Sequence, residues 1–171
     1  AATVLLASTA TKVAVYLLAR YIFGIFGLHR EFGDISGASL LILLSLAAMF
    51  LASAAAIFQN DVKRLLAFSS IGQIGYITLG IAIANSDALT GAFLHIANHA
   101  VLKGAAFMAI GAILYRCGSE RLDDLAGIGR AMPVTGAVLT IAGLALIGVP
   151  GTSGFVSKWY LVAGAFEDGK G

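Results

Sequence analysis

Apolar residues along this chain gather into five long runs, over residues 1–28, 38–58, 65–86, 88–115 and 133–166. Each matches or exceeds the roughly 20 residues that an α-helix needs to cross the hydrocarbon of a bilayer. The acidic residues respect the pattern: Glu31, Asp34, Asp61, Asp87, Glu120, Asp123, Asp124, Glu167 and Asp168 all fall in the connections or the tail, where water can solvate them. The pattern predicts an all-α integral membrane chain of five transmembrane helices. The fifth run cannot be one straight span, because its 34 residues would rise about 51 Å. GVPGTSGF, residues 148–155, is the place to break it: Pro150 lacks an N–H, and Gly148, Gly151 and Gly154 weaken the flanking turns. A discontinuous helix is expected there, with a Pro kink in one long tilted helix as the alternative. Broken backbone at membrane depth is tolerated where it faces protein or a wet cavity, and its freed carbonyls and half-helix ends then make an ion site.

Composition agrees with this reading. Of 171 residues 59% are hydrophobic and 12% charged, 21 are glycine, and the mean hydropathy is +0.93. A net charge of +2, with no basic run interleaved with aromatics, gives no nucleic-acid surface. The single Cys117 can form neither a disulfide framework nor a CxxC metal site. The first residues lack the order of a signal peptide, and both ends read as continuing into a longer chain. With five crossings, Lys63, Arg64, Arg116, Arg121 and Arg130 collect on one side, whereas Arg30 and Lys170 collect on the other with Arg20 slightly inside. The positive-inside rule then puts the N-terminal end in the cytoplasm.

Once the connections are accounted for, three lysines remain inside apolar segments: Lys12, Lys103 and Lys158. A charged side chain near the bilayer centre costs about 2.5–3.5 kcal/mol on insertion scales. A lysine that loads and unloads its proton as a neighbouring charge approaches or withdraws is a proton carrier. Snorkelling of the long stem to the headgroups is the competing explanation, and it is open for Lys12, whose depth the sequence does not fix. Lys158 follows the expected break and could instead satisfy freed carbonyls. Lys103 has apolar or small residues on both sides for more than two turns, which makes snorkelling a long reach.

His95, His99 and Lys103 recur every fourth residue, and so line one helix face over about 12 Å. Histidine can accept and donate in turn, so His, water and Lys in series can pass protons. Asn98 shares the general face, and Ser69, Ser70, Gln73 and Tyr76 of the preceding run are neutral groups able to hold water beside it. HIANH is not a zinc-protease site, because Ile96 stands where HExxH has its glutamate and no buried acid or cysteine completes a ligand set. Haem does not fit two histidines on one helix face. No phosphate loop, nucleophile elbow or triad is present, so neither a catalytic residue nor a cofactor or metal is expected.

FQNDVKRLLAFSSIGQIGYITLGIAI, HIANHAVLKGAAFM and GVPGTSGFVSKWYLV, in that order, resemble the antiporter-like subunits of respiratory complex I and the D-type member of multi-subunit Mrp-type Na+/H+ antiporters. The resemblance covers nearly the whole chain. It implies two inverted five-helix repeats, of which this chain would hold the last helix of the first and four helices of the second. It makes Lys12 a bridging lysine, Lys103 the central lysine with His95 and His99 as its relay, and Lys158 the terminal carrier on the broken helix. The family's paired Glu and Lys of the first half-channel would lie upstream of Ala1. Asp61, Lys63 and Arg64 belong to the family signature, yet their place at a helix start favours capping and lipid contact.

The function implied is proton, or cation/proton, translocation through a half-channel by alternate charging of the buried lysines. FVSKWYL leans toward the D type of the Mrp antiporters. A proton-pumping subunit of an NADH:quinone oxidoreductase or membrane-bound hydrogenase is the alternative, in which case the chain is a translocase subunit without a redox site of its own. A scaffold without transport is the alternative of another class. The expected partners are other membrane subunits, lipids, protons and sodium, in a bacterial inner membrane.

Overall fold

The computed structural model describes residues 9–26, 31–32 and 35–168. Residues 1–8 and 27–28 of the first apolar run, Asp34, and Arg30 and Lys170, which were used above to orient the chain, lie outside the described residues. α1 (Thr11–Tyr21) loosens into a π-helical turn over Ile22–Phe26. A two-residue antiparallel ribbon, Glu31–Phe32 with Ile35–Ser36, follows, and it is the one departure from the expected all-helical pattern among the described residues. Strand pairing of this length belongs to a connection and carries none of the core. Among the described residues, α2 (Gly37–Ile57), α3 (Val62–Ile83) and α4 (Ser86–Cys117) are the three helices long and apolar enough to cross a membrane. A short 3₁₀ turn (Leu122–Leu125) and a one-turn helix (Ile128–Ala131) then lead into α5 (Pro133–Ile147) and α6 (Ser153–Asp168).

The helix ends follow from local chemistry. Ser36 caps α2 by accepting from the Ser39 amide at 3.1 Å. Asp61 caps α3 by accepting from the Lys63 and Arg64 amides at 2.9 and 3.1 Å, which starts that helix at Val62, three residues before the apolar run. The capping expected at this signature is therefore present in the geometry. Asn85 caps α4 by accepting from Ala88 N–H at 2.8 Å, and its own amide reaches across to Gly164 O at 2.6 Å, tying the α3–α4 turn to the far end of α6.

The fifth apolar run is interrupted over residues 148–152. Gly148 at φ 92° ends α5, and Gly151 at φ 91° turns the chain into α6. Both values lie in the left-handed region that glycine enters without a β-carbon clash. Each half is too short to cross the hydrocarbon alone, since 15 and 16 residues rise only about 23 and 24 Å.

The bundle buries two apolar clusters. Val62, Leu66, Ala106, Phe107, Ile110, Ile113 and Ala142 join α3, α4 and α5 toward one end. Val15, Ala19, Ile77, Ile81, Ala92 and Leu161 join α1, α3, α4 and α6 toward the other. Residues 69–76 of α3 and 95–103 of α4 lie between the clusters along their helices. Outside, the surface is apolar: Leu43, Leu44, Phe50 and Leu51 of α2 and Val101 and Met108 of α4 are exposed. A soluble protein has the reverse arrangement. At the end where α3 begins, the 118–125 connection is clamped by Val62 N–H to Glu120 O, Leu122 N–H to Asn60 O and a Lys63–Glu120 ion pair.

α4 and α6 pack at backbone distance because Gly91 has no side chain. A β-carbon there would stand 2.8 Å from the Leu161 nitrogen and 2.9 Å from the Ser157 carbonyl oxygen. Gly91→Val is expected to lower the thermal stability of the detergent-solubilised protein by about 1–3 kcal/mol. Gly111→Ala, where the added atom meets open space, serves as the neutral control in the same melting experiment. Equal melting temperatures for the two variants would contradict the close approach.

Candidate functional site

The layer between the two apolar clusters is polar. Lys103 and His99 are 0% exposed, His95 1%, Ser157 0% and Lys12 6%. Lys103 lies well inside α4, and its ammonium donates to Leu66 O at 2.7 Å and to Ser69 Oγ at 2.9 Å, just past the first turn of α3. Leu66 O is open to this because Lys103 meets α3 from the side, and the same carbonyl also accepts from Ser70 Oγ at 2.9 Å. Ser70 therefore bonds back to its own helix. Ser69 makes the side-chain contact with the lysine.

Lys158, on α6, reaches across the break and donates to Leu146 O at 2.8 Å and Ile147 O at 3.1 Å. These are last-turn carbonyls of α5, left without intrahelical donors and sitting at the negative end of that half-helix. The ammonium also lies 4.7 Å from the centre of the Tyr76 ring, within cation–π range. Pro150 and Gly151 shape the interruption and are exposed, and a β-carbon added at Gly151 would meet open space. Gly148 lines the lysine instead, since a β-carbon there would stand 3.1 Å from Lys158 Cδ.

Gln73 links this end to the histidines. Its Nε2 donates to Leu146 O at 3.4 Å, and its Oε1 faces His95 Nε2 at 2.9 Å. The other ring nitrogen of His95 lies 2.8 Å from Ser157 Oγ, which also lies 3.1 Å from Gly154 O. Beyond His95 the direct bonds stop. His99 stacks almost parallel on it, with ring centres 6.1 Å apart and planes 7° apart, and neither ring nitrogen of His99 has a hydrogen-bond partner among the described residues. Lys12 of α1 is buried, on a helix whose Val15 and Ala19 pack in the apolar cluster shared with α3, α4 and α6. Asn98 sits at the margin and donates to Ser153 O at 2.8 Å, holding the first turn of α6.

The structure thus brings Lys158, Gln73, His95, His99, Lys103 and Ser69 into one layer. Ser157 and the Leu146 carbonyl are members that the sequence reading missed. Ser157 left a faint trace as the polar neighbour of Lys158 in a half-helix otherwise apolar on that side. The carbonyl left none. Among the described residues no group of His, Cys, Asp and Glu is placed to hold a metal ion. Every hydrogen bond described for Lys103 and Lys158 ends on a neutral oxygen.

An apolar exterior around a buried polar layer, with helices of membrane-crossing length, defines a multi-pass α-helical membrane protein. The family described as "NADH:quinone oxidoreductase/Mrp antiporter, TM" matches residues 1–170, and the chain belongs to it. It is similar to NADH-quinone oxidoreductase subunit N of Desulforudis audaxviator, at 40% identity over 96% of this chain and 32% of that protein. It is also similar to the A/B component of a probable K(+)/H(+) antiporter of Rhizobium meliloti, at 38% identity over 94% of this chain and 15% of that protein. The fold matches a chain in the Mrp complex from Dietzia with a TM-score of 0.86 and 31% identity, covering 94% of this chain and 29% of that one. The chain therefore spans about a third or less of the length of the proteins it matches.

A buried ammonium held only by neutral oxygens adds little to stability, since its desolvation offsets its hydrogen bonds. Lys103→Met, which keeps the unbranched stem and leaves Leu66 O bonded to Ser70, is expected to melt at or above the native temperature. A fall of more than about 2 kcal/mol would show that the lysine is a structural brace.

Proposed function

We propose that this chain is a proton-translocating portion of a membrane subunit, with Lys12, His95, His99, Lys103 and Lys158 as its proton-transfer groups. Ser69, Ser70 and Gln73 support the layer, and Pro150 and Gly151 shape the helix break. The observation that carries the reading is Lys103. It is wholly buried, far from either helix end, and bonded to a carbonyl and a hydroxyl with no carboxylate to fix its charge. An amine so placed can exist with or without its proton, because neutral acceptors stabilise the ammonium without demanding it. Lys158 has the same kind of setting at the broken helix, and the two histidines stand between them.

The reading places the chain in the cell membrane among other membrane subunits and lipids, with five crossings and the α3 N-terminal end facing the cytoplasm, where Lys63, Arg64, Arg116, Arg121 and Arg130 gather. That orientation puts the N-terminal end of α1 on the cytoplasmic side. Two kinds of host complex fit. FVSKWYL favours a D-type component of a monovalent cation/proton antiporter, and similarity to an oxidoreductase subunit N favours a redox-driven proton pump. The proteins that copurify with the chain, and whether sodium or potassium stimulates transport, separate the two.

Transport by the complete subunit in its complex, reconstituted in vesicles with a pH-sensitive dye, tests the central claim. Lys103→Met is expected to lower the rate about tenfold or more while the complex stays assembled. A scaffold role predicts an unchanged rate, and that result would remove the proposal.

A further inference from the structure

The donor and acceptor pattern around His95 assigns a role to Ser157. Leu146 O can only accept, so the Gln73 group that faces it is the amide NH₂, and the group that faces His95 Nε2 is the carbonyl oxygen Oε1. That oxygen also only accepts. His95 Nε2 therefore carries a hydrogen whether the ring is neutral or charged, and Nδ1 is the atom at which the ring gains and loses its proton. Nδ1 faces Ser157 Oγ at 2.8 Å.

Ser157 has one hydroxyl hydrogen and two places to put it. When His95 is neutral, bare Nδ1 accepts and the hydroxyl donates to it. When His95 is protonated, Nδ1–H donates and Ser157 Oγ must accept, so the hydroxyl hydrogen turns to Gly154 O, 3.1 Å away. Both hydrogen-bond patterns are complete without movement of any heavy atom. Gly91 makes this possible by letting the α6 backbone come within contact of α4, and full burial keeps bulk water from substituting for the hydroxyl.

We infer that Ser157 is a positioning residue whose hydroxyl, by turning between Nδ1 and Gly154 O, keeps Nδ1 hydrogen-bonded in both charge states of His95, linking the charge of His95 to the first turn of the half-helix that carries Lys158. The inference rests on the relay reading given above and assigns to it the atom and the partner. The titratable and charged groups facing His95 are Lys158 of α6, Tyr76 of α3 and His99 on its own helix, with Lys12 of α1 acting on His99.

Ser157→Ala and Ser157→Thr in the complete subunit, reconstituted with its complex, test it. The alanine variant is expected to transport about tenfold more slowly and with a displaced pH profile, whereas threonine, which restores a hydroxyl, returns both toward native. A native rate and profile in the alanine variant, or equal impairment in both, overturns the inference. ¹⁵N NMR of histidine-labelled protein, with His95 assigned by difference from His95→Gln, reads the geometry independently of transport. Neutral His95 is expected as the Nε2–H tautomer, and an Nδ1–H tautomer overturns the assignment. Should His95→Gln transport at the native rate, the relay reading fails, and the tautomer alone decides whether Ser157 faces a bare Nδ1.

Discussion

An ammonium group enclosed by apolar helices, with no opposite charge beside it among the described residues, is the constraint around which this bundle is arranged. Such a charge is unfavourable unless its donors are used, and the chain uses them on oxygens already within its helices. For Lys103 these are a carbonyl one turn into α3 and the hydroxyl of Ser69. For Lys158 they are the last carbonyls of α5, where the half-helix dipole adds a favourable field. A carboxylate partner would hold either lysine permanently charged. Carbonyls and hydroxyls accept from the charged form and tolerate the neutral one, and that is what separates a group able to change charge from an ion pair such as Lys63–Glu120 at the bundle end.

Holding that layer fixed is the task of close backbone packing. Besides Gly91, a β-carbon at Gly80 would meet Leu161 and Ala88, one at Gly164 would meet Ala88 and Asn85, and one at Gly154 would collide with the Ala145 carbonyl. Small residues at helix crossings are the usual means of association where the surrounding lipid is as apolar as the helices themselves. Here they also have a chemical consequence. They set α6 against α4 and α5 closely enough for Ser157 and Lys158 to reach His95 and the α5 carbonyls, so packing and the hydrogen bonds of the polar layer share the same contacts.

Much of this was legible in the residues. Fourfold spacing from His95 through His99 to Lys103 places them on one face in any helix, and GVPGTSGF interrupts a helix wherever it falls. Side-chain partners across helices were not legible, because they depend on crossing geometry that spacing within one segment does not encode. Ser70 shows the difference: it stands beside Ser69 in sequence, yet it bonds back to its own helix while Ser69 meets the lysine. Pro150 and Gly151 mark the break correctly, but the atoms facing Lys158 are carbonyls four and three residues before that proline. A backbone carbonyl has no letter in the sequence, and only the end of the preceding half-helix reveals it.

The completed layer is two hydrogen-bonded groups rather than one wire. Lys158, the Leu146 carbonyl, Gln73, His95 and Ser157 form the first, and Lys103 with Leu66 O and the two serines forms the second. His99 stands between them, stacked on His95 yet bonded to neither group. What spans the interval is ring contact: fully buried, His99 lies against His95 with the two planes 7° apart. Among the described residues no hydrogen bond joins the two groups, and the stacked ring of His99 marks the gap in the bonded path.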